Sequence, residues 1–519
     1  MSSGGPRKHR EVRPLGLGEA LLPIGVMMAL FVVGVAFLEF NAELLVAVLI
    51  GAAVVAGIVA VRHGRSWDDI QRSTGEKLAE VLPAILILLV IGALISSWVL
   101  SGTIPFMVYW GVRLVEPRHL VITAFLSTAV MSLFTGTSWG SAGTIGVALM
   151  GTAAALQAPL AATAGAVVSG AYLGDKMSPL SDSTNISAIG ADALLFAHIR
   201  HMVYTATPSF VLCLLVYGAF AGGGAGSGGG PPAGALTLLD DLDRAFSLHW
   251  IVLLPAVVVV WSIVRRVPPA LAIGLSCLVA LVIGVVVQGF GTQEALVAAV
   301  AGFRADMLGA AGVDPAAMGE QFLTLVERGG LYSMAPTLIV VVSAFLLAAG
   351  MDVSGALELI IHRMLAAVRS VFGLVAATMT AGGTMIALTS HGGVTALVIG
   401  GLFQKAYRER GLATVNLSRS IEDSVTITEP LMPWTVSAVY MAGTLGVPTL
   451  AYAPWAVFCY GGPVFSLLIA GLYRWTGFGI RLEEGTGDDG GSREGAGGAT
   501  DANPLEVESA AEGFTSLGG

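Results

Sequence analysis

Apolar residues run through this chain in long blocks, not in the alternating or one-sided patterns of elements that face water. Such blocks occupy 21–38, 44–61, 81–100, 202–220, 251–264, 271–287, 338–350 and 452–473. A helix needs about 20 largely apolar residues to cross a bilayer, so blocks of this kind, joined by short polar loops, predict an all-α polytopic membrane protein. Other apolar stretches are interrupted. The stretch 120–156 is broken by FTGTSWGSAGT (134–144) and 160–196 by GDKMSPLSDSTN (174–185). Later, 372–403 is broken by ALTSHGGVT (387–395) and 415–441 by EDSVTITEPLMPW (422–434).

The order of whole and broken stretches repeats on either side of AGGGAGSGGGPP (221–232), a flexible linker by composition. We therefore expect a tail at 1–19, a first membrane repeat at 20–220, a Gly-rich external linker at 221–247, a second membrane repeat at 248–475 and an acidic tail at 476–519. If each half crosses three times before its broken pair, the two pairs enter from opposite faces. The expectation is two inverted repeats with re-entrant hairpins and broken transmembrane helices, an arrangement that places substrate near mid-membrane.

Composition agrees: 55% of the 519 residues are hydrophobic and 12% charged, with a mean hydropathy of +0.81, against roughly 25% charged in an ordinary soluble domain. Much of the net charge of −9 sits in the last residues, in a Gly-rich tail that reads as disordered. Lys and Arg set orientation. They gather in 1–19, 62–77, at Arg200, Arg265 and Arg266, in 405–419 and at Arg474 and Arg481. Alternating crossings put all of these, with both termini, on the cytoplasmic side of the cell membrane. The first apolar block is span-length and lacks a small-residue cleavage site, so it is expected to remain as an anchor. Cys213, Cys277 and Cys459 lie in apolar stretches without metal-ligand spacing and are read as packing.

The breaks carry the chemistry. Irregular backbone inside a bilayer must be covered by protein or by a water-filled cavity, and charged groups at that depth persist where they pair or function. The first break offers Asp175, Ser178, Asp182, Thr184 and Asn185, with Pro179 forbidding a continuous helix. A polar loop, or a structural Asp175–Lys176 ion pair, are the plainer readings. The second break offers Asp423, Ser424, Thr428 and Glu429, halted by Pro430, with Glu422 open to a surface role beside Arg419. Between them stand the hydroxyl-rich turns that contain Thr137, Ser138 and Ser390. Small-residue packing between full helices is their plainer reading. His391 is open to a pH-sensing or a structural role.

At these residues the sequence resembles the NhaC-type Na+/H+ antiporter family, through GDKMSPLSDSTN, FTGTSWG, LSRSIEDSVTITEPLMPW (417–434) and AGTLGVPTLAY (442–452), in order over 19–473. The resemblance implies the ion-transporter superfamily, with inverted repeats, paired re-entrant hairpins and often an elevator-like homodimer. The chain departs from the family's pattern at Val425, Thr426, Glu429 and Thr435, and at Ser390, His391 and Gly392 of the second turn.

Two functions follow as expectations. In the first, Na+ and H+ compete for shared carboxylates, with Asp182 and Asp423 as the leading ligands of the transported Na+; oxygen is the ligand that hard cations take. In the second, the same fold exchanges an amino acid or a carboxylate, which calls for a cavity of several hundred Å3 between the breaks. No HExxH, no GxSxG with suitable partners and no nucleotide loop is present, so an enzyme is not expected. No cofactor is expected either, and the absence of basic tracts argues against a nucleic-acid partner.

Overall fold

The computed structural model describes residues 15–38, 41–222, 233–366 and 370–483. The tail at 1–14, the glycine run at 223–232 and the acidic 484–519 lie outside the described residues.

Leucine, valine and alanine dominate the early helices α1 (Leu17–Phe37), α2 (Ala42–Arg62) and α4 (Leu82–Leu100). Helical hydrogen bonding is what lets such segments satisfy their backbone without water. Between them, α3 (Trp67–Glu80) is polar and is started by Ser66, whose hydroxyl accepts from Asp69 N–H at 3.2 Å. The short α5 (Thr103–Leu114) leads to the first hairpin: α6 (Leu120–Thr135) descends, and α7 (Ser138–Ser141) returns through a π-helical turn, Ala142–Gly146, into α8 (Val147–Ala155). The first broken helix follows as α9 (Leu160–Met177) and α10 (Asp182–Gly190), then α11 (Leu195–Gly222).

Within the expected linker, α12 (Ala233–Ala245) is helical. After it come α13 (Leu254–Val264), α14 (Pro269–Val286), α15 (Thr292–Ala301), α16 (Glu320–Val326), α17 (Ala335–Val353) and α18 (Ala356–Ala366). The second hairpin is α19 (Val371–Thr389) with α20 (Gly392–Arg408). The second broken helix is α21 (Thr414–Ile421), which runs on through a π-helical turn, Glu422–Thr426, and resumes as α22 (Val436–Leu445). Finally, α23 (Thr449–Tyr452) turns the chain into α24 (Val457–Thr476).

Among the described residues, nine helices are long and apolar enough to cross a membrane, and two bent pairs qualify together, one of them Val436–Leu445 with Thr449–Trp455 at 87°. Large apolar side chains such as Val32, Val54, Leu215, Val282 and Val286 point outward from these helices. In water such a girdle would aggregate; in a bilayer it meets its solvent. The chain is an all-helical, multi-pass membrane protein.

Tight packing within this bundle rests on small residues. A Cβ at Gly170 or Gly174 of α9 would run into the α6 backbone at Phe125 and Ala129, so the broken helix and the first hairpin lie backbone to backbone. The two hairpin tips share a geometry. Gly136 ends α6 in the left-handed region and Thr137 follows extended; Ser390 ends α19 in the same way and His391 follows extended. Thr135 bonds Ser141 across the first tip at 3.2 Å, and Thr389 bonds Thr395 across the second at 2.5 Å. Each tip rests on a break. Gly136 abuts Leu180, and the Ser390 carbonyl accepts from Val436 N–H at 3.1 Å.

The second break is narrower than the expected 422–434. Glu422–Thr426 stay helical by slipping into a π turn, with Ile427 N–H donating to the Glu422 carbonyl. The helix fails only where Pro430 has no N–H to give and its ring would strike the preceding turn.

Candidate functional site

The two tips and the two breaks surround one cavity of about 1090 Å3. Thr137 and Ser138 line it from the first tip, Asp175, Asp182, Ser183 and Asn185 from the first break, His391 and Gly392 from the second tip, and Glu429, Ser437 and Tyr440 from the second break. Val264 and Arg266 to Pro269, in the turn between α13 and α14, also line it.

Two buried carboxylates face this space, and helix N-termini hold both. Asp175, in the last turn of α9, stands beside the hydroxyl and N–H of Ser138, at the start of α7, and the hydroxyl of Ser181. Glu429 stands beside the hydroxyl and N–H of Ser437, at the start of α22, and Gly392 N–H, at the start of α20. Unsatisfied N–H groups and the helix dipole at such ends favour negative charge. An ionised carboxylate has roughly four lone-pair sites, so lone pairs remain that can turn toward a cation in the cavity. Asp182 opens the first turn of α10 with its side chain exposed to the same space. Asn185 is pinned by its amide to the Ser181 carbonyl at 2.6 Å.

Opposite the carboxylates stands an aromatic wall. Trp139 and Tyr440 stack with ring centroids 4.4 Å apart and planes 9° from parallel, and both line the cavity. The Tyr440 hydroxyl donates to the Trp139 carbonyl at 2.7 Å, so the pair fastens the first tip to α22.

Other expected residues lie elsewhere. Ser178 is buried behind the break, its hydroxyl accepting from Leu180 N–H. The Thr184 hydroxyl reaches back to the carbonyls of Asp175 and Lys176, each at 3.2 Å, and holds α10 against the end of α9. The Ser390 hydroxyl is buried without a partner. Ser424 and Thr428 return their hydroxyls to carbonyls one turn back, both at 2.6 Å, and border a separate cavity of about 500 Å3.

Asp423 is fully buried in an ion pair with Lys176, and Thr205 also donates to it at 3.3 Å. The pair that the sequence suggested between Asp175 and Lys176 is therefore replaced by one across the two halves, because Lys176 leaves α9 on the side facing the π turn. Glu422 is likewise not a surface partner of Arg419. It is fully buried and bound by Ser187 at 2.5 Å, while Arg419 donates to the Gly479 carbonyl at 2.6 Å. The sequence placed Ser181 and Ser183 in the first break without assigning them to the site, and gave no sign of Ser437 or the aromatic pair. Only the serines of S-D-S-T-N-I-S, which include Ser183 and Ser187 four apart on one helix face, carried a usable signal.

The model of the Na+/H+ antiporter family matches residues 20–193 and 170–475. An uncharacterised Na+/H+ antiporter of Haemophilus influenzae is 40% identical, over 91% of this chain and 98% of its own length. The Na+/H+ antiporter NhaC of Alkalihalophilus pseudofirmus is 33% identical, over 90% and 97%. The arginine/ornithine antiporter ArcD of Halobacterium salinarum is 32% identical, over 91% and 95%.

Proposed function

The chain belongs to the Na+/H+ antiporter family, and from that premise we propose that it exchanges Na+ for H+ at the cavity between its breaks, with Asp175 and Glu429 as the principal carboxylates. The observation that carries this reading is their convergence: two buried acids, one from each half, both seated on helix N-termini and both open to one aqueous space. Thr137, Ser138, Asp182 and Asn185 add oxygen ligands beside them. Na+ beside these carboxylates and a proton held between the same breaks repel each other, so one ion displaces the other and exchange needs no covalent chemistry. The family is one of antiporters, not enzymes.

The arrangement of the halves belongs to the same proposal. The repeats at 20–220 and 248–475 are related by inversion, a reading supported by the matched tips at Gly136 and Ser390. Basic loops face the cytoplasm, with both termini, in the cell membrane. Arg266 and Val267 of the cavity lining then lie on the cytoplasmic side, and we read the cavity as open inward. A homodimer of the elevator type completes the assembly.

A second reading has its own support. A cavity of about 1090 Å3 is far larger than a bare ion needs, it carries carboxylates and an aromatic wall, and Arg266 is the basic side chain of its lining. These features suit an organic ammonium or guanidinium, the class that the Halobacterium relative's name describes, better than a dicarboxylate. Proteoliposomes loaded with a pH-sensitive dye separate the readings. Proton movement on adding Na+, and none on adding arginine, ornithine or malate, is the expected result; a response to the amino acids alone would move the function to solute exchange.

A further inference from the structure

Glu422 has no place in the cavity wall, yet it is joined to it. Its carboxyl is fully buried in the π turn after α21, with Ser187 donating to one oxygen at 2.5 Å and Ser183 to the other at 3.5 Å. Ser183 itself lines the cavity, and its hydroxyl shares a 3.0 Å hydrogen bond with that of Ser181, in which either can donate. Ser181 in turn stands close to Asp175. Two carboxyls thus stand at the ends of a chain of two hydroxyls, one open to the cation and the other shielded from it. Charged groups around Glu422 are Lys176 and Asp175 from α9 and Asp423 from its own turn, with Lys176 and Asp423 already committed to each other.

We propose that Glu422 is the proton-carrying carboxyl of the exchange, connected to the cavity through Ser183 and to the Na+ site through Ser181. In the Na+-free carrier Glu422 holds the proton. As Na+ enters beside Asp175, the Glu422 O–H bond breaks and its proton passes to the Ser183 oxygen. The proton that Ser183 held goes to a cavity water, leaving a carboxylate, an intact serine and a hydronium ion. One positive charge enters and one leaves, so the charge buried between the breaks stays constant. Return of the proton along the same path accompanies release of Na+. Hydroxyls serve here because each both donates and accepts and can reverse direction.

This inference rests on the Na+/H+ reading, and the experiment separates the two. The full chain, reconstituted in liposomes, is assayed for Na+-driven proton movement and for self-exchange of radioactive sodium, which moves no proton. Glu422→Gln keeps the shape and the contacts to Ser183 and Ser187. It should cut proton movement about tenfold or more while sodium self-exchange stays within about twofold of wild type. Ser183→Ala should slow proton movement several-fold and Ser183→Thr should restore it. Wild-type protein that moves no protons on adding Na+ sinks the exchange reading and the relay with it. Wild-type exchange that survives Glu422→Gln sinks the relay alone, and so does a loss of both activities in Glu422→Gln, or a Ser183→Thr that stays as slow as Ser183→Ala.

Discussion

At the scale of single residues, the site is built from acids placed where the backbone already favours them. Asp175 stands beside the N–H of Ser138, and Glu429 beside those of Ser437 and Gly392. Ser390 is the costly residue of this region. It takes a φ of 60°, and its hydroxyl is buried without a partner, where the first tip has Gly136 at the equivalent position. A left-handed conformation costs an L-residue on the order of 1–2 kcal/mol, which glycine avoids at some expense in unfolded-state entropy. Ser390→Gly is therefore expected to raise the Tm of the detergent-solubilised protein, by about 1 kcal/mol of stability; a lower Tm would mean that the hydroxyl is bound in the native protein. Residue types alone announced the acids of both breaks. They did not announce which acid faces the cavity, because Asp423 is drawn away by Lys176 and Thr205, 247 and 218 positions distant.

At the scale of elements, prolines made the breaks legible and tertiary partners decided the rest. Pro179 and Pro430 marked where α9 and α21 must fail, and the turns at Gly136 and Ser390 lie inside the stretches expected to interrupt the hairpins. The π turn at Glu422–Thr426 was not legible, since E-D-S-V-T is compatible with ordinary helix and its partners lie on α9, α10 and α11. The Lys176–Asp423 pair is the clasp between α9 and that turn. Removing one member of a buried pair strands the other and costs about 3–5 kcal/mol, whereas removing both costs far less. Lys176→Met should lower the Tm sharply, and the double variant with Asp423→Asn should recover most of the loss. If the double variant is as unstable as the single one, the pair is not what joins these elements.

For the whole molecule, the orientation proposed from the basic loops puts the turn between α13 and α14, which lines the cavity, on the cytoplasmic side. Val267, in the cavity lining, gives the direct readout, since Cys213, Cys277 and Cys459 are all buried and leave a quiet background. Val267→Cys is expected to react with a membrane-impermeant thiol reagent from the cytoplasmic side in everted vesicles and to be protected in intact cells; the reverse labelling would invert the assigned orientation. The hydrophobic blocks were enough to foresee an all-helical, multi-pass chain. Cavity size was not, because it depends on how α4, α13 and α14 stand off from the breaks.

The central claim is that Na+ entering beside Asp175 and Glu429 expels a proton, and the most direct test is dye-reported proton movement in proteoliposomes on adding Na+, comparing wild type with Asp175→Asn and Glu429→Gln. Robust movement in the wild type, lost in both variants while their Tm stays near that of the wild type, is the predicted result. Movement at the wild-type rate in either variant would contradict it.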